Sequence, residues 1–322
     1  MTMNSAEEIA LPRPTARALT GQRVATLLEG IRSNWLLYLL ILPTFLFAIA
    51  FYYYPLTSGI YHSFTYWDIK RTLWIGLENY QRMLDDPAAL AAWRNMIVIL
   101  IAQLAIVITA PLFGAALVAA LTAGRAQFWW RMTFIMPIVV PATVVVYVWR
   151  WFYGPDGGVN TLFRLLGLGN FTHIWLGENA TALWAIIFTG FPWVAGLNFL
   201  LYLAALQSIP EELVEAARVD GAGVLRRFFD IQLPLIRNQL LVLVTLTFIF
   251  YLRSFDAPLI MTNGGPGTAG TLVPGLQMYH AVRDDLDLGY GSAIGIVLFV
   301  VTLALMSLNQ LVSRRQNLKT EK

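Results

Sequence analysis

Long apolar runs separated by short polar ones dominate the chain. A run of about 20 residues crosses a hydrocarbon layer as a helix, and six such runs lie near 35–54, 96–122, 132–153, 181–206, 240–261 and 290–312. Pro43, Pro111, Pro137, Pro141 and Pro192 fall inside them. Proline removes a backbone donor and breaks most soluble helices, but within a membrane neighbouring helices re-satisfy the freed carbonyls. The pattern therefore predicts an all-α polytopic membrane protein of about six transmembrane helices, kinked and closely packed.

The polar positions orient it. Arg13, Arg17, Arg23 and Arg32 precede the first run, Arg125 and Arg131 flank the loop after the second, and Arg218, Arg226, Arg227 and Arg237 crowd the loop after the fourth. Arg314, Arg315, Lys319 and Lys322 end the chain, whereas the alternate loops carry acids such as Asp85, Asp86, Asp284, Asp285 and Asp287. Cytoplasmic loops hold the excess of Lys and Arg, so these basic segments and both termini are expected on the inner side. The expected organisation is a cytoplasmic N-terminal segment over 1–34, a transmembrane domain over 35–314 with a cytoplasmic loop at 208–236, and a cytoplasmic tail over 315–322. Val24, Leu27, Leu28 and Ile31 share one helical face opposite Arg17, Arg23 and Arg32. That segment reads as an interfacial helix on the inner leaflet, with a frayed polar tail as the alternative.

Composition narrows the function. Hydrophobic residues make up 57% and charged residues 13%, more apolar surface than one soluble core needs, and the net charge of +3 reflects the inner loops rather than nucleic-acid binding. There is no cysteine, hence no disulfide or thiolate site. His62, His173 and His280 have no second ligand three or four residues away, so no metal is expected. No triad or carboxylate dyad stands out, so no catalytic residue is expected.

The loop after the fourth run carries the most specific pattern. It reads Glu215-Ala216-Ala217-Arg218-Val219-Asp220-Gly221 and, after nine residues, Ile231-Gln232-Leu233-Pro234. Ser208, Pro210 and Glu211 suit a helix start with a capping box. Gly221 can take positive φ to end that helix, and Val224, Leu225, Phe228 and Phe229 then mark one face of a second helix closed before Pro234. Local chemistry alone is satisfied by an ordinary interfacial loop.

The spacing E-A-A, three residues, Gly, nine residues, I-x-L-P resembles the cytoplasmic loop of permease subunits in binding-protein-dependent ABC importers. Ser63-Phe64-Thr65 with Trp67-Asp68, Gly76-Leu77-Glu78-Asn79-Tyr80, Trp175-Leu176-Gly177 and Thr262-Asn263-Gly264-Gly265-Pro266 are similar to strings of the sugar-class permeases, in the same order, over nearly the whole chain. The resemblance implies a type I ABC importer permease fold in a bacterial inner membrane. It implies that Glu211, Glu212, Glu215, Ala216, Ala217, Asp220 and Gly221 couple to an ATPase. The implied partners are a second homologous permease chain, two ABC ATPase subunits, an extracytoplasmic solute-binding protein and a carbohydrate. No Gly-Lys dipeptide occurs, so the phosphate cradle is missing; no cofactor is expected on this chain, ATP and Mg belonging to the ATPase subunits.

For the substrate path the resemblance implies Phe250, Tyr251 and Ser254 on the fifth run and Thr189, Gly190 and Trp193 on the fourth. Arg253 and Asp256 are costly in a membrane, Arg by about 2.5–3.5 kcal/mol. They either pair three residues apart on one helix or face the cavity; packing remains an equal use of Phe250 and Trp193. Arg253 raises the expectation of an acidic cargo, such as a uronate oligosaccharide or a phosphorylated polyol. The alternative is an ion-coupled secondary sugar transporter, for which Asp256 is the one obvious carboxylate.

Overall fold

A computed structural model describes residues 33–121 and 124–320, with side chains through Leu311. The segment expected as an interfacial helix lies outside these residues except for Ser33. The chain divides into two units, 1–58 and 59–322.

In the first unit, α1 (Trp35–Ala48) is apolar on every face, the pattern of a helix without a polar side to solvate, and passes into a wider turn at Ile49–Tyr53. A further helix, α2 (Tyr54–His62), follows.

The second unit holds a two-stranded hairpin, β1 (Thr65–Trp67) against β2 (Thr72–Trp74), with Thr65 opposite Trp74. Helix α3 (Glu78–Asp85) packs beneath it. Asn79 Nδ2 donates to the Ser63 and Thr65 carbonyls at 3.0 Å each, and Tyr80 Oη donates to Ser63 Oγ at 2.7 Å. Two strings read separately in the sequence are thus one folded corner.

Helix α4 (Pro87–Ala119) is the central rod, 33 residues and about 50 Å long. Asp86 caps it by accepting from Ala88 N at 2.8 Å, and Pro87 supplies the first position, where its missing N–H costs nothing. Ala92, Ala115 and Val118 are buried while Ile101, Phe113 and Leu117 are exposed, which gives one protein-facing and one outward side.

Prolines then cut the remaining runs into pieces. Helix α5 (Arg125–Ile135) continues as a tighter turn, Met136–Val139, before α6 (Ala142–Phe152), with a 93° bend between them. Pro141 forces Val140 into extended backbone, ψ 123°. Helix α7 (Gly158–Leu165) follows. The run near 181–206, expected as one span, is instead α8 (Ala182–Ile187), an irregular stretch, and α9 (Leu197–Gln207). Pro192 would collide with the Phe188 carbonyl four residues back, and α8 stops there. Gly190, Trp193 and Gly196, with φ of 87°, 56° and 91°, turn the chain.

Beyond α9 come α10 (Glu211–Val219) and α11 (Val224–Leu235), then α12 (Arg237–Arg253) after a 69° bend. The run near 240–261 is also broken: α13 (Asp256–Thr262) begins after Ser254 turns extended, ψ 131°. Pro258 is the cause, since an unbroken helix would press its ring against the Ser254 carbonyl and leave that carbonyl unpaired. Helices α14 (Pro274–Arg283) and α15 (Leu288–Thr320) complete the order.

Among the described residues, Trp35–His62, Pro87–Ala119 and Leu288–Leu311 are each long and apolar enough to cross a membrane, and the two bent pairs raise the number to five at most. The expected six is not confirmed by this measure, since α9, at 11 residues, is too short to qualify. Two cores run along α4. Ala89, Met96 and Ile99 pack with Leu276 and Ile294 at its first half, and Val107, Leu112 and Val118 with Leu203, Leu206, Ile236 and Leu243 at its second.

Candidate functional site

The helix breaks face one another and leave a cavity of about 590 Å³ in the second unit. Met96, Ile99 and Gln103 of α4 form one wall, the Val140–Pro141 bend a second, and the end of α8 with Thr189 and Gly190 a third. Phe250, Tyr251, Ser254 and Asp256 close it from the break between α12 and α13. Broken helices expose carbonyl and hydroxyl groups that continuous ones hide, and such breaks are tolerated at depth where they line a cavity.

Six of the eight residues expected on the path therefore line one space: Thr189, Gly190, Phe250, Tyr251, Ser254 and Asp256. Trp193 and Arg253 do not. Trp193 turns its ring onto Phe188 and Phe191, at 5.2 and 5.1 Å, and its Nε1 donates to the Thr189 carbonyl at 3.1 Å. Arg253 ends α12 exposed, and among the described residues it forms no ion pair with Asp256, because the break at Ser254 takes them off a common helix. Spacing of three would pair them only on an unbroken helix.

Gln103 was missed. Tyr251 Oη donates to its Oε1 at 3.0 Å, while its Nε2 donates to the Ile187 carbonyl at 3.2 Å. One amide thus ties α4 to the end of α8 and to α12. Its signal was present: an uncharged polar side chain inside the apolar run Ile97–Ala110 needs a partner. A larger cleft of about 700 Å³, lined by Trp149, Phe152, Phe163, Trp175, Trp184 and Phe188, offers hydrocarbon and few polar partners, so it does not suit a hydroxylated ligand.

The Glu215 loop lies at the far end of α12. Helix α10 begins at Glu211 after Pro210, with no side-chain cap. The expected capping box is absent because α9 runs to Gln207 and takes Ser208 as its own end, where Ser208 Oγ donates to the Ala205 carbonyl. Glu211 and Glu212 in the first turn favour the positive end of the helix dipole.

Gly221 has φ 75° and closes α10: Ala222 N donates to the Ala217 carbonyl at 2.9 Å and Gly221 N to the Arg218 carbonyl at 3.1 Å. This six-to-one pair of bonds needs a left-handed residue at that place. The second helix does not close before Pro234 as expected. It widens over Phe228–Gln232 and carries Pro234 within Leu233–Leu235; the wide turn accommodates the missing donor.

The loop presents one side and anchors the other. Glu211, Glu212, Glu215, Ala216, Asp220 and Gly221 are exposed, and Val219 is 88% exposed, with Leu213, Val224, Leu225 and Phe229 also open. Ala217 is buried, whereas Ile209, Phe228 and Leu233 pack onto the core around Leu203, Leu206 and Ile236. An exposed helix with acids at one end and apolar side chains at the other is a surface made for a partner. From its anchorage α12 runs 17 residues, about 25 Å, to the cavity.

Known proteins carry the same architecture. Residues 114–318 match the family described as binding-protein-dependent transport system inner membrane component. A probable ABC transporter permease protein, YurN, of Bacillus subtilis is 33% identical over 83% of this chain and 92% of its own length. The sulfoquinovosyl glycerol transport system permease protein SmoG of Agrobacterium fabrum is 33% identical over 94% of each chain. A solved bacterial ABC transporter involved in import of the acidic polysaccharide alginate superposes with a TM-score of 0.79 at 24% identity, covering 90% of this chain and 99% of that one. With the broken spans and the exposed Glu215 loop in place, the chain belongs to the family of binding-protein-dependent transport system inner membrane components.

Proposed function

We propose that this chain is one permease subunit of an ATP-driven ABC importer for a carbohydrate. It lies in a bacterial inner membrane with the Glu215 loop and both termini inside. A second permease chain completes the path, two ATPase subunits dock on α10, and an extracytoplasmic binding protein delivers the cargo. The observation that carries this reading is that α12 joins the anchored side of the exposed loop at one end to the cavity at the other. Movement of α10 by a closing ATPase pair is thereby transmitted to Phe250, Tyr251 and Ser254, and the path opens alternately to the two sides.

Hydroxyl and amide groups of Gln103, Thr143, Thr189, Tyr251 and Ser254 around the Phe250 ring suit a polyol. Asp256 repels an anion and Arg253 stands outside the lining, so this half of the path meets an uncharged face of the cargo. Any acid group on it falls to the second permease.

The test is uptake by proteoliposomes holding the assembled complex. Ser254→Trp is expected to abolish uptake while assembly and ATP hydrolysis persist. Sugar uptake by this chain purified alone, or unimpaired uptake by the variant, refutes the proposal.

A further inference from the structure

The turn after α13 has a use that the path does not explain. Asn95, buried on α4, donates from Nδ2 to the carbonyls of Ala269 at 2.8 Å and Leu272 at 3.0 Å. Thr271 Oγ1 donates to the Gly265 carbonyl at 2.7 Å, and Gly270 N to that of Pro266 at 3.1 Å. The carbonyls of Gly265, Pro266, Ala269 and Leu272 are therefore engaged within the fold. Three successive donors of the turn are not: the N–H groups of Gly267, Thr268 and Ala269 have no acceptor among the described residues.

These amides border a polar pocket of about 370 Å³ whose other walls include Arg94 and Asn179. Neither side chain has a hydrogen bond or ion pair among the described residues, and no carboxylate lines the pocket. Gly267, at φ 65°, shapes the turn, and a side chain at Gly270 would strike the Pro266 carbonyl at 2.4 Å. A rigid concavity with a guanidinium, an amide and successive free N–H groups is an anion receptor.

We infer that this pocket receives a carboxylate side chain of the extracytoplasmic binding protein. Arg94 lies near the start of α4, and the core beside the Glu215 loop lies at the other end, so on the orientation proposed above the pocket opens outward. That inference rests on the importer reading, and the family is one whose transport depends on a binding protein. Charge-assisted bonds at such a pocket fix register and speed docking.

The experiment uses the assembled transporter in nanodiscs, titrated with the binding protein that stimulates its ATP hydrolysis. Arg94→Glu is expected to raise the half-saturating concentration at least tenfold without changing the maximal rate. Asn179→Ala is expected to raise it less, Arg94→Lys least. Replacing one acidic residue on the docking face of the binding protein by Arg is expected to restore Arg94→Glu. Unchanged half-saturation in Arg94→Glu, or failure of every such charge swap, overturns the inference. So does a loss confined to uptake of an acidic sugar, which assigns the pocket to cargo. A wild-type transporter that no binding protein stimulates overturns the importer reading and this inference with it.

Discussion

Gly221 allows the turn of the Glu215 loop to be tested while every acidic and apolar side chain of its exposed face stays in place. Its φ of 75° suits glycine, and a Cβ added there meets nothing within 4 Å. Within the chain, substitution thus perturbs the backbone alone. Alanine in the left-handed region costs about 1–2 kcal/mol; asparagine, which tolerates that region, costs less, and β-branched valine more. If docking needs the turn intact, apparent affinity falls by the fraction of loops that keep it. A cost of about 1–2 kcal/mol corresponds to roughly 5- to 30-fold. The assay is ATPase subunit binding to the reconstituted permease pair, with stimulated hydrolysis in parallel. The expected order of half-saturating ATPase concentration is glycine, asparagine, alanine, valine. Equal affinity and stimulation across all four would refute the argument that the turn sets the docking geometry.

Gln103→Met leaves the Tyr251 hydroxyl and the Ile187 carbonyl without their partner, a cost of about 1–3 kcal/mol for each buried group, and should lower thermal stability and raise the KM for transport. Tyr251→Phe in that background should add less than it does alone; strict additivity would show that the two do not act together. The Asp68 carboxylate is held below its ordinary range chiefly by the Arg71 N–H, with the Lys70 N–H and Tyr66 hydroxyl adding to it. A depressed pKa stabilises the turn above the unfolded value and loses that effect as pH falls through the folded one. Exchange protection of the residue 70 and 71 amides should therefore fade below the pH at which an ordinary aspartate titrates, and Asp68→Asn should remove that pH dependence. Leu213→Glu or Val219→Glu should weaken ATPase docking on a pull-down while leaving the monomer folded, since both side chains are exposed.

What the sequence disclosed and what it hid separate along physical lines. The turn of the loop was readable because its requirement is local, a residue able to take positive φ at Gly221; the capping box and the helix end before Pro234 were not, because α9 takes Ser208 as its own end and a wide turn admits Pro234. The cavity was readable in its residue types but not in its shape. Shape depends on where prolines stop helices, and a proline acts four residues back, at Phe188 for Pro192 and at Ser254 for Pro258. Counting apolar residues passes over such a break, so the fourth and fifth runs looked continuous and Arg253 and Asp256 looked close enough on one helix for pairing to stand beside the cavity reading. Gln103 was hidden for another reason: its partners are 84 and 148 residues away in sequence, and no spacing rule connects them.

The length of α4 sets a rule about which changes the chain can absorb. Arg94 and Asn95 near one end, Gln103 at the cavity and Val107 to Val118 beside the Glu215 loop sit on a single uninterrupted helix. Adding or deleting one residue between Gln103 and Val107 would turn everything beyond it by about 100° and slide it about 1.5 Å. Either the cavity or the loop anchorage would then face the wrong way. The segment is in effect a keyed shaft, whose residues can be exchanged but whose residue number cannot.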